Sequence, residues 1–176
     1  AILNNLIQTG GTIQGAGDLV LQGTNFWNSG TQEGPGQTIV AEDATLSFGG
    51  GDVLLNRQFS NLGTSSVQTF GDPLIVGTNG NIANSGTFLL NPGLSFATTT
   101  GSSATFTNSG VLRKPANGFV SQLALPLINS GQVEVLNSEL ILTVGGTNTG
   151  IIGISEGASL SLLSGSFINE PSGVYS

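Results

Sequence analysis

Ten carboxylates carry most of the reactive chemistry in this 176-residue chain: Asp18, Glu33, Glu42, Asp43, Asp52, Asp72, Glu134, Glu139, Glu156 and Glu170. The only cationic side chains are Arg57, Arg113 and Lys114, and histidine and cysteine are absent. Without histidine the commonest general base and metal ligand is missing, and the many Ser and Thr hydroxyls have no standard triad partner. Without cysteine there is no thiolate metal site and no disulfide frame. Acid–base cleavage of a polysaccharide needs carboxylates gathered on one face. Asp18, Asp52 and Glu139 each stand just before a short apolar strand, in one expected column but not in successive rungs. Charges at strand entries are ordinarily solvated. Glu42 and Asp43 would point to opposite faces of an extended chain, and with Glu33 they lack the ligand spacing of a calcium loop. Gly49-Gly50-Gly51-Asp52 occurs once and reads as a turn. Gly15-Ala16-Gly17 lacks the third glycine of a dinucleotide fingerprint. The expectation is no catalytic residue, no metal, no cofactor and no enzymatic activity. The weak ligand candidates are Trp27, as an outward ring for a sugar, with Glu42 and Asp43. Thr31, Thr64 and Thr87 would form a hydroxyl column of the kind an ice-binding face uses, ending after three rungs.

The net charge of −7 removes further classes. Three basic residues cannot displace counterions from a nucleic-acid backbone or hold an anionic membrane surface. No apolar run is long enough for a membrane-spanning helix. Charged residues are only 7% of the chain, yet 38% are hydrophobic, enough to build a core if short strands stack regularly.

A repeat supplies that regularity. It reads apolar, any residue, Asn, small, Gly: Phe26-Trp27-Asn28-Ser29-Gly30, Phe59 to Gly63, Ile82 to Gly86, Phe106 to Gly110, Leu127 to Gly131 and Gly146 to Gly150. A stretched copy runs from Phe167 to Gly173. The Asn column is therefore Asn28, Asn61, Asn84, Asn108, Asn129, Asn148 and Asn169, with steps of 33, 23, 24, 21, 19 and 21 residues. The long first step predicts an insertion within 31–51, a loop carrying Glu33, Glu42 and Asp43. The Gly column is Gly30, Gly63, Gly86, Gly110, Gly131, Gly150 and Gly173, expected to turn the chain through positive φ. Two residues before each Asn lies the expected core column: Phe26, Phe59, Ile82, Phe106, Leu127 and Phe167, with Gly146 interrupting it. Short alternating strands accompany each unit, among them Leu19-Val20-Leu21, Val53-Leu54-Leu55, Leu74-Ile75-Val76, Leu94-Ser95-Phe96 and Leu140-Ile141-Leu142. Short strands, no helical periodicity and a unit near 21 residues define an all-β, single-stranded parallel β-helix, or β-solenoid, of about seven rungs of roughly 19–24 residues. It occupies residues 1–176 as one domain.

Phe106-Thr107-Asn108-Ser109-Gly110-Val111-Leu112 and Leu127-Ile128-Asn129-Ser130-Gly131-Gln132-Val133 resemble the repeat regions of large secreted bacterial surface proteins. These are autotransporter passengers and filamentous-haemagglutinin-like adhesin repeats. The resemblance implies a right-handed coil, export to the cell surface or medium, and a structural or adhesive role without catalysis. The partners it implies are flanking rungs, other copies of the chain, surface glycans or cell-surface receptors. Two alternatives stand beside it: a carbohydrate-binding or polysaccharide-cleaving β-helix, and an ice-binding solenoid. The apolar opening Ala1-Ile2-Leu3 and the strand-like Gly173-Val174-Tyr175-Ser176 carry no cap, so the chain is expected to be a piece of a longer array or a unit stacking head to tail.

Overall fold

The computed structural model describes residues 1–68, 74–91 and 96–175. Asp72, Leu94, Ser95 and Ser176, named above, lie outside the described residues. The described residues form 22 strands with no helix between them. They coil into a parallel β-solenoid of about eight turns. One sheet of 19 strands and one of three wrap the coil, and the paired strands run parallel.

Three strand columns build the wall. The first contains Ile2–Asn4, Leu19–Gln22, the ends of Thr24–Val40 and Val53–Asn61, then Ile82–Asn84, Phe106–Asn108, Leu127–Asn129, Gly145–Asn148 and Ser166–Asn169. The second begins each time about three residues later and includes Thr45–Phe48, Thr64–Val67, Thr87–Leu90, Val111–Lys114 and Gln132–Val135. The third passes through Leu74–Val76 and Phe96–Thr98. In the later rungs it is the separate sheet of Val120–Leu123, Glu139–Leu142 and Ser159–Leu162.

Period-two alternation puts every second side chain inside. Aromatic rings form much of that interior. Phe48 packs against Trp27, Phe59 and Phe88 with ring centres 5.7, 5.6 and 6.2 Å apart. Phe106 meets Phe88 and Phe96 edge-on at 5.2 and 6.1 Å. Phe59, Ile82, Phe106 and Leu127 are buried in one file, and Phe167 ends it half-buried.

The first copy of the repeat lies elsewhere. Phe26 and Trp27 sit in the second column, between Ile7-Gln8 and Ser47-Phe48. A one-residue change of phase exchanges inside and outside. Trp27 is fully buried, and Phe26, expected in the core, is 40% exposed. The residues below Asn61 in its own file are Val40, Leu21 and Leu3, so Asn28 and Gly30 do not belong to the Asn and Gly columns. Along the true file from Leu3 to Asn169 the steps are 18, 19, 21, 23, 24, 21, 19 and 21 residues. No insertion remains within 31–51. Residues up to Val40 belong to the 17-residue strand Thr24–Val40, which bends at Gly30 and Gly34 with φ of 98° and 106°. The lowest rungs fill the Asn file with the aliphatic residues Leu3, Leu21 and Val40, and Phe26 to Gly30 matches the motif by composition alone.

The remaining glycines of the column correct the second expectation. Gly63, Gly86, Gly110, Gly131, Gly150 and Gly173 have no positive φ. They are glycine because backbones of successive rungs come too close for a side chain. A Cβ on Gly110 would overlap the carbonyl oxygen of Gly86, and one on Gly131 that of Gly110. This approach lets Ser109 N–H and Gly110 N–H both donate to the Asn84 carbonyl, at 2.8 and 3.1 Å.

Candidate functional site

The largest polar assembly is the Asn file. Asn61, Asn84, Asn108, Asn129 and Asn148 point inward and are essentially unexposed. Nδ2 of each donates to Oδ1 of the Asn one rung on: Asn61 to Asn84, Asn84 to Asn108 and Asn108 to Asn129 at 2.7 Å, Asn129 to Asn148 at 2.6 Å, and Asn148 to Asn169 at 2.7 Å. The same amide nitrogens also reach backbone carbonyls, as Asn108 does at Gly110 and Gln132. Ser65 Oγ donates to Asn61 Oδ1 at 2.7 Å and closes the lower end. Asn169 Nδ2 donates to the Gly173 carbonyl at the upper end. All amides face one way, and the five buried carboxamides are engaged by their neighbours in the file. The arrangement joins corners; it is not a binding site.

Two cations are also interior. Arg57 Nε donates to the Gly36 carbonyl at 3.1 Å, and Nη2 to those of Gly17 and Gln37 at 2.9 and 3.1 Å. Burial lowers its pKa and the Asp18 charge opposes that shift. Lys114 pairs with Val135 in the wall and is fully buried. Its Nζ donates to the Pro115 carbonyl and to Asn117 Oδ1. Burial holds its ammonium pKa below the usual lysine range. The ion pair among the described residues is Arg113 with Glu134, on the outer wall.

The described carboxylates do not converge. Asp18 precedes a first-column strand, whereas Asp52 and Glu139 belong to the third, so the three share no column. Asp18 Oδ1 accepts the Gln37 N–H at 3.1 Å. No group of three or more metal-ligating side chains occurs among the described residues. Glu42 and Asp43 are exposed on a tight turn closed by Ala44 N–H donating to the Ala41 carbonyl at 2.9 Å. They rim an open cleft of about 610 Å³ whose floor is Val20, Ile39 and Leu62.

Trp27 cannot stack on a sugar from outside. It is 0% exposed, and its indole N–H donates to the Gly30 carbonyl at 3.3 Å. Its neighbour Phe26 takes the outer position and lines a second cleft, of about 630 Å³, with Asn28, Ser47 and Gln68. Sequence reasoning missed Phe26 because the motif placed it inside. No local pattern marks Phe26 as outward; its register with Ile7 and Ser47 does. The threonine column also shifts. Thr31 lies on the third column, between Thr12 and Leu54, whereas Thr24, Thr45, Thr64 and Thr87 stand in register on four successive rungs.

Fold and site together define a parallel β-solenoid with an internal asparagine ladder. Comparison with protein-family models, with curated proteins and with solved structures returned no match.

Proposed function

We propose that this chain is a structural segment of an extracellular bacterial surface protein or fibre, a stiff non-enzymatic shaft that works without a cofactor. The observation that carries this reading is the asparagine ladder, which runs unbroken from Asn61 to Asn169 inside the coil. A buried carboxamide has value only if its neighbours above and below also satisfy it, so the ladder favours exact stacking of many rungs. At about 4.8 Å per rung, eight steps span roughly 38 Å. The likeness of the repeats to autotransporter and filamentous-haemagglutinin-like regions supports export and an adhesive or spacing role. Flanking rungs or further copies of the chain are the partners such a shaft needs.

Pulling on the two termini in an optical trap tests it. A shaft peels in steps of about one rung, and Asn108→Ala introduces a weak point at mid-length. A single low-force event unaffected by that substitution refutes the shaft reading. Release of sugars from a panel of polysaccharides refutes its non-enzymatic part.

The four-rung file Thr24, Thr45, Thr64, Thr87 favours a second reading, an ice-binding face. Thermal hysteresis that falls on Thr45→Leu would support it; none at millimolar protein would remove it.

A further inference from the structure

We infer that the cleft at Phe26 is a binding subsite for a neutral pyranose, such as one ring of an extended polysaccharide. The inference is independent of the shaft reading. Phe26 is 40% exposed on a wall position whose register neighbours are Ile7 on one side and Ser47 on the other. Ile7 is 65% exposed, so the two side chains form an apolar step across adjacent rungs. Beside that step the wall turns polar. Asn28, half-buried in the same cleft, has a side-chain amide that makes no hydrogen bond among the described residues. Ser47 Oγ lies 3.3 Å from Ser66 Oγ, and Gln68 Nε2 donates to Ser66 Oγ at 2.8 Å. Among the described residues nothing else engages the Gln68 side-chain carbonyl oxygen or its second amide hydrogen. Gly50, at φ 98°, keeps the rim low next to Asn28.

The chemistry selects the ligand. A pyranose has a face of C–H groups and a rim of hydroxyls that both donate and accept. An aromatic ring answers the face, and carboxamides, which also donate and accept, answer the rim. None of the described residues that line the cleft is charged. Among those residues a phosphate or carboxylate would find no cation, and a metal ion no carboxylate. The cleft of about 630 Å³ is open and of the size that takes one or two sugar rings. The other cleft, rimmed by Glu42 and Asp43, differs in having charge and no aromatic ring.

Titration of the ¹⁵N-labelled chain with cellohexaose, and separately with β-1,4-galactotetraose, tests the inference. At least one sugar should bind in the millimolar range and shift amide signals of residues 26–30 and 47–50. Phe26→Ala should weaken that binding about tenfold, whereas Phe26→Tyr should retain it within about threefold. Asn28→Ala and Gln68→Ala should each weaken it by about three- to tenfold. These last two variants carry the test if Phe26→Ala perturbs the fold. Failure of both sugars to bind overturns the inference. So do shifts confined to other faces, affinity unchanged by the variants, or a preference for an apolar peptide or dextran sulfate over both neutral sugars.

Discussion

The buried amides and cations of this chain act through what they leave unsatisfied when a partner is removed. Asn108→Ala takes the acceptor from Asn84 Nδ2 and the donor from Asn129 Oδ1. Both groups stay inside, so the loss should be about 1–3 kcal/mol in urea denaturation. Asn169→Ala, at the exposed end of the ladder, should cost well under that. Lys114 works in the opposite sense. Its ammonium is buried against a carbonyl and an amide oxygen, with no carboxylate partner among the described residues. Its pKa is therefore lower in the folded chain than in the unfolded one. Between those two values the unfolded state binds more protons, so stability should rise with pH through the window below the ordinary lysine range. The penalty is fully present below the folded pKa and is gone above the unfolded one. Lys114→Met should raise stability at neutral pH by on the order of 1 kcal/mol and flatten this alkaline rise. Melting curves from pH 7 to 11 on both proteins check the sign.

At the scale of one rung, inside, outside and corner positions respond differently. Phe106 is completely buried between Phe88 and Phe96, and Phe106→Ala should cost about 3–5 kcal/mol. Thr107, one residue on, faces solvent, and its replacement by Ala should cost about 0.5 kcal/mol or less. Comparable losses in chemical denaturation would mean that the phase of this strand is misassigned. The corner glycines separate two reasons for having no side chain. Gly110→Ala drives a methyl group into the Gly86 carbonyl and must open the rung spacing. Gly118→Ala meets open space and bears only the left-handed strain of φ 73°. The first should lower the melting temperature clearly more than the second, whose cost is about 1 kcal/mol.

Interior rungs among the described residues bond to the rungs on either side, as Thr87 N–H does to the Gly63 carbonyl and Val111 N–H to that of Gly86, whereas an end rung has a neighbour on one side alone. In the 176-residue polypeptide taken by itself, Ile2 and Ile7 are exposed at one end and Leu163, Ile168, Val174 and Tyr175 at the other. Strand edges with apolar side chains pair readily with other chains. We expect this polypeptide to associate along the solenoid axis as concentration rises, visible in light scattering and as short filaments in electron micrographs. Leu3→Lys with Val174→Lys should suppress the association. A monomer at millimolar concentration would count against end-to-end contact.

The class of fold was legible from the amino-acid order alone, because a step of 19–24 residues between equivalent Asn-x-Gly units, without helical periodicity, leaves few architectures besides a parallel coil. The Asn file from Asn61 upward was legible too, since each carboxamide needs an identical neighbour one rung away. The phase of the lowest rungs was not. Phe26-Trp27-Asn28-Ser29-Gly30 satisfies the motif locally, and only the pairing of Trp27 with Gln8 and Phe48 decides that Trp27 is inside and Phe26 outside. Register belongs to pairs of strands, not to one strand, and a slip of one residue changes no local propensity while it exchanges two faces. For the same reason the cleft at Phe26, and the close backbone approach that explains the column of glycines, existed only once the rungs were stacked.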